Sequence, residues 1–297
     1  MRFRLLLLVV VVSSVAACDD ARSMLTSATA PTPVATTPTS PSPALGGELI
    51  NGVVYDSAFR PLAGARVEIL DGPQLGTSTV SAGNGEFSLR AVIDDTTRFR
   101  ATREGHVTAT ATPQPDCDRC NPRRWIFFYL KVLDAPVDLA GNYTLTFIAD
   151  NACTNLPHEL QTRTYEASVQ PRDISYPGFP ANSATSFEVV PKGSAFSDGL
   201  NLFFLNVAGN YVNVSLGDHT DPGVTERVAT NTYFAFGGWA ITTVATPVQT
   251  ISTTFRGWID YCELSAPIGP RYDCGPAKAI KFSRCDSGKH QLILTRR

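Results

Sequence analysis

Cys117 and Cys120 stand in a Cys-x-x-Cys frame within the stretch PDCDRCNP. That frame serves a redox dithiol, half a zinc site or a small structural disulfide. A redox dithiol needs its first cysteine at a helix N-terminus, yet HVTATAT before it and RRWIFFYLKV after it read as strands. A zinc site needs further ligands, and none lies nearby in sequence. The four histidines, His106, His158, His219 and His290, are scattered without metal-ligand spacing, so neither a metal nor a cofactor is expected. There is no Gly-x-Ser-x-Gly elbow, no P-loop and no Gly-x-Gly-x-x-Gly turn. A carboxylate pair assembled across strands leaves no mark in sequence, so a periplasmic hydrolase remains an alternative.

Two aromatic stretches offer binding chemistry instead. NTYFAFGGWA (231–240) gathers Tyr233, Phe234, Phe236 and Trp239 around Gly237-Gly238, and FRGWIDY (255–261) adds Phe255, Trp258 and Tyr261. Exposed Tyr and Trp faces suit sugar rings or apolar ligands. Tyr233, Trp239, Trp258 and Tyr261 are therefore the candidate ligand-binding residues. The competing reading is core packing with a glycine bulge between strands.

The elements that would present such residues begin with a leader. Arg2 and Arg4 precede the apolar run Leu5–Val12, and small residues follow as far as Ala17. This is the layout of an export signal, too short to span a bilayer. Val15-Ala16-Ala17-Cys18 resembles the lipobox of bacterial lipoproteins. The resemblance implies removal of residues 1–17 and acylation of Cys18, a membrane partner through lipid, and an outer-membrane, cell-surface or periplasmic-face address. Acylation with more than one chain gives stable anchoring.

Behind it, residues 26–43 (TSATAPTPVATTPTSPSP) contain fourteen Thr, Ser or Pro in eighteen positions. Such text buries too little to offset ordering entropy. Spaced prolines keep it extended, so residues 18–46 read as a lipid-anchored spacer reaching roughly 90 Å at full stretch. Without Arg2 and Arg4 the chain has 23 basic against 27 acidic residues, a net charge of −4. Without a basic patch, nucleic acid is not an expected partner.

Seven cysteines minus Cys18 leave six, an even number that in an exported chain reads as disulfides. Fifteen connectivities are formally open to six cysteines. Locality favours Cys117–Cys120, which would pin a hairpin, and Cys262–Cys274 across the loop SAPIGPRYD. Cys153 and Cys285 are then left for each other.

Residues 47–134 show short alternating runs broken by Pro61, Gly64, Asp71-Gly72-Pro73 and Gly83-Asn84-Gly85, the pattern of a β-sandwich. Pro61 and Gly64 suit a turn, and Gly83 and Gly85 can supply positive φ for a tight hairpin before Phe87. The stretch resembles the carboxypeptidase regulatory-like domain, a transthyretin-like seven-strand sandwich. The matching residues are Gly52-Val53-Val54, Asp56, Pro61-Leu62-Ala63-Gly64-Ala65, Val67, Thr79, Gly83, Gly85, Phe87, Leu89 and Gly105-His106. The resemblance implies the fold. It implies no peptidase activity, because the zinc-binding His-x-x-Glu pair of the neighbouring peptidase domain is absent from this chain.

Leu133-Asp134-Ala135-Pro136 reads as a boundary, and residues 137–297 carry about ten further strand signals. Only Asn155–Gln161 suggests a helical turn. An antiparallel barrel or second sandwich is expected, making the chain all-β. LAGNYTLTF and HQLILTRR can pair to remove the sheet edges. The opening Gly-x-Tyr weakly resembles that of lipocalin-like barrels. The expected function is a non-enzymatic, surface-anchored lipoprotein in a binding, adhesion or structural role. The alternative is a carbohydrate-binding protein or a lipocalin-like carrier of a small apolar ligand.

Overall fold

The computed structural model describes residues 47–113, 125–173, 185–196, 201–217, 222–267 and 274–297. The leader, the spacer, Cys18 and the Cys117–Cys120 pair lie outside the described residues. Ala44–Arg297 form one compact unit, built from two β bodies.

The first body contains seven strands: β1 (Glu48–Asp56), β2 (Arg66–Ile69), β3 (Ser78–Val80), β4 (Glu86–Ala91), β5 (Phe99–Thr102), β6 (Ala109–Ala111) and β7 (Trp125–Leu130). They form a three-stranded sheet, β4-β1-β7, and a four-stranded sheet, β3-β2-β5-β6. Side chains alternate between sheet faces, so Phe87, Leu89 and Ala91 of β4 point inward and meet Ile50, Val54, Val67, Phe99, Ile126 and Phe128 in one core. Gly64 (φ 73°) and Gly85 (φ 78°) take the left-handed turns expected of them, whereas Gly83 does not. The turn at Gly85 is not a hairpin. It carries the chain from β3 in one sheet to β4 in the other. β6 and β7 likewise belong to different sheets, so these two strands are not hairpin partners. Short strands joined across sheets look the same in sequence as strands joined in hairpins.

The second body is a closed antiparallel barrel, which decides between barrel and sandwich. Its strands are β8 (Gly141–Ile148), β9 (Thr162–Pro171), β10 (Ser186–Pro191), β11 (Phe203–Ala208), β12 (Tyr211–Leu216), β13 (Val224–Ala229), β14 (Thr232–Thr243), β15 (Thr250–Leu264) and β16 (Ala279–Arg296). Eight of them meander in chain order around the ring. The ring closes where β8 pairs with β16 and β12 pairs with β14. β13 lies outside the eight and pairs with the first half of β14. Ile148↔Gln291 through Tyr143↔Arg296 is the closure expected between the first and last strands.

Three features depart from the sequence reading. β14 runs unbroken through Gly237-Gly238, and β16 joins two segments read as separate strands. Long paired partners hold these residues extended despite the glycines. β13 was not expected, because VTERVA has too few apolar residues to show alternation. The expected helical turn is a 3₁₀ turn at His158–Leu160.

The barrel interior is filled with side chains. Phe147 stacks on Phe236 at 4.4 Å between ring centres, with Phe255 at 5.6 Å and Phe234 at 5.9 Å. Tyr143, Leu145, Val189, Phe203, Val212 and Leu292 continue the core. Cys153–Cys285 and Cys262–Cys274 are disulfide-bonded, with Cα–Cα separations of 5.6 and 5.9 Å. The first ties the segment after β8 to β16 across 132 residues of chain.

Candidate functional site

The two aromatic stretches form one hairpin, β14–β15, in which Phe234↔Tyr261, Phe236↔Ile259, Gly237↔Trp258 and Trp239↔Arg256 are paired. Period-two alternation then separates the residues that sequence grouped together. Phe234, Phe236, Phe255 and Tyr261 turn into the barrel core. Tyr233 turns outward, yet it is buried with Cys262 and Cys274 in a small satellite cluster. On the outer face stand Trp239, 56% exposed, and beside it the half-buried Trp258. The four-residue platform Tyr233, Trp239, Trp258 and Tyr261 is therefore corrected to Trp239 and Trp258.

These two tryptophans are diagonal neighbours on one face, a spacing of about 7–8 Å between strands. Trp258 lies over Gly237: a Cβ there would sit 2.7 Å from the indole ring. Glycine thus makes room for the ring to lie down on the sheet. The Arg284 guanidinium carbon is 4.8 Å from the Trp258 ring centre, and Arg284 donates two 2.7 Å hydrogen bonds to the fully buried Asp260. This bidentate clamp fixes the guanidinium against the indole. Trp239 is flanked by its strand partners Ser215 and the exposed Arg256. The strip offers an aromatic face beside donors and hydroxyls, which is the composition of a polar-ligand surface.

A second polar cluster closes the barrel end opposite the first body. Arg163 and the Tyr165 hydroxyl, both from β9, bond the carboxylate of Glu226 on β13, the Tyr165 bond being 2.8 Å. The bond to Glu226 pushes the Arg163 guanidinium up in pKa. Burial, then the Glu226 charge, pushes the Tyr165 phenol up. Nearby, Tyr261 donates to Glu263 at 2.7 Å. Burial and that carboxylate push the Tyr261 phenol up to about 12. The buried Glu226 is answered by a cation and a hydroxyl, and the more exposed Glu263 by a hydroxyl and Lys281, so the cluster works as a plug.

His290 is fully buried on β16. Its Nδ1 accepts from the Asp150 backbone N–H at 3.1 Å, and burial lowers its pKa. His106 and His158 lie elsewhere, and His219 is outside the described residues. Among the described residues no group of His, Cys, Asp and Glu could hold a metal ion.

In the first body, the sandwich order, its turns and its core now stand together. Residues 49–116 match the family model of the carboxypeptidase regulatory-like domain. No curated protein matches the chain. Residues that carried the resemblance have structural work in the regulatory-like domain: Val54, Leu62, Val67, Phe87 and Leu89 are core. Asp56 is fully buried and accepts from the Ala58 and Arg60 backbone and from Arg60 Nε.

The regulatory-like domain meets the barrel at the β11–β12 turn. The Ser57 hydroxyl donates to the Val207 carbonyl at 2.6 Å. The Arg60 guanidinium lies 3.4 Å from the Tyr211 ring centre. Nothing in the sequence pairs Arg60 with Tyr211.

Proposed function

We propose that this chain is an exported lipoprotein, acylated at Cys18, that holds the regulatory-like sandwich and the barrel away from a membrane for binding rather than catalysis. The observation that carries this reading is the leader ending in Ala16-Ala17-Cys18, followed directly by the Thr/Ser/Pro run of residues 26–43. A run of that composition stays extended and holds its two ends apart. The outer membrane or cell surface is the proposed address.

Carbohydrate is the ligand class favoured by the outer barrel face. Trp239 is exposed beside Ser215 and Arg256, and Trp258 is held flat next to it. Indole faces accept the apolar side of a sugar ring, while guanidinium and hydroxyl groups reach its edges. The carrier alternative fares worse, because the aromatic stack around Phe147 occupies the space a carried ligand would need.

Binding of the body to a glycan array tests the carbohydrate reading. Expected are glycan hits that Trp239→Ala weakens by about tenfold or more, in line with the worth of one stacking contact. No binding above background removes it.

A further inference from the structure

A cleft of about 310 Å³ opens at the junction of the two bodies, lined among others by Arg60, Asp134, Val137, Asn210, Tyr211 and Thr246. Its polar lining includes Arg60, which is held on two sides. The buried Asp56 carboxylate holds the Nε edge of the guanidinium at 2.7 Å, and the Tyr211 ring holds its face at 3.4 Å. The side chain stays 26% exposed, and its Nη nitrogens have no hydrogen-bond partner among the described residues. Ordering a free arginine costs rotamer entropy. Here the fold has already ordered it, leaving a fixed pair of donors of the kind that takes a carboxylate.

We propose that this cleft is a binding site for a small hydroxy-carboxylate of sugar-acid size. The carboxylate sits on the Nη edge of Arg60, and hydroxyls are met by Asp134, Asn210 and Thr246. Asp134 argues for this class over a bare anion. A second carboxylate in the cleft repels simple anions but accepts from hydroxyl donors. The volume suits a single sugar ring, at the low end of ligand pockets. The site is separate from the Trp239–Trp258 strip and does not depend on that strip binding anything.

The test is a calorimetric titration of the full-length protein in detergent with glucuronate, glucose and acetate. Saturable glucuronate binding, at least about tenfold tighter than glucose, is expected from a charge-assisted contact. Arg60→Gln should abolish that preference, Asp134→Asn should strengthen acetate by lifting the repulsion and so narrow the margin of glucuronate over acetate, and Trp239→Ala should change neither. Equal affinity for glucuronate and glucose, or no saturable glucuronate binding, would overturn the proposal. So would an unchanged preference in Arg60→Gln. The wild-type comparison decides the matter even if Arg60→Gln weakens the junction. Failure here leaves anchoring and outer-face glycan binding untouched.

Discussion

The regulatory-like sandwich and the barrel handle sheet edges and core closure differently. In the sandwich, β4, β7, β3 and β6 end their sheets as open edges, and a small core is closed by turns that pass from sheet to sheet. In the barrel, the first strand pairs with the last and β12 with β14, so the ring of eight has no edge. That closure joins residues up to about 150 positions apart, such as Tyr143 and Arg296. Long loops are costly to close, and the Cys153–Cys285 bridge spans the same interval. The sandwich thus rests on the long-range pairing of β1 with β7 and on turns between sheets, the barrel on a chain-order meander locked at its ends by β8–β16 and a cross-link.

The largest expected effect follows from that contrast. Replacing both Cys153 and Cys285 with serine should lower barrel stability by about 4–5 kcal/mol in the chain-entropy model. Urea unfolding followed by tryptophan fluorescence reports mainly the barrel, which holds Trp239 and Trp258. A sandwich transition that moves as far as the barrel transition would break the comparison.

Next come the charges that plug the barrel. Arg163→Met strands Glu226, which is only 6% exposed, at a cost of about 3 kcal/mol. Arg163→Met with Glu226→Leu should recover most of it. If the double variant is no more stable than the single, the pair is not the plug described.

A smaller effect is expected in the sandwich. A Cβ at Gly52 would run into the Ile126 carbonyl and the Phe87 ring. Gly52→Ala should therefore cost about 1–3 kcal/mol by overpacking, visible in the sandwich transition alone. An equal shift in the barrel transition would show that the two bodies unfold as one.

The mildest effect is a pH dependence in the barrel. Burial lowers the His290 pKa from 6.5, against weaker opposing effects of Asp150 and Asp286. The unfolded chain therefore binds a proton that the native state resists. His290's contribution to stability is complete above pH 6.5 and is lost as pH falls below it, at a slope of up to about 1.4 kcal/mol per pH unit. Comparing urea midpoints of wild type and His290→Gln between pH 5 and 8 checks this, since the variant should lose that slope.

Legibility differed between the bodies in the same physical terms. Turn residues made the sandwich readable, because Pro61, Gly64 and Gly85 act locally. Alternation in Tyr143, Leu145 and Phe147 and in Leu292 and Leu294 was enough to pair the ends of the barrel. Which sheet a short strand joins was not readable, as β6 and β7 show. The candidate site was half legible. Tyr233, Trp239, Trp258 and Tyr261 share a hairpin, but their parity divides them between two faces, and only register reveals that Trp258 covers Gly237. Arg163–Glu226 and Arg60–Tyr211 join residues far apart in sequence, where no local pattern exists to read.

The central claim is that a lipid on Cys18 fixes the chain to a membrane, with the spacer and both β bodies beyond it. Fractionation of cells expressing wild type and Cys18→Ser tests it most directly. Wild type should sediment with membranes and enter the detergent phase, and Cys18→Ser should be released to the soluble fraction. A Cys18→Ser protein that still sediments with membranes would contradict the account.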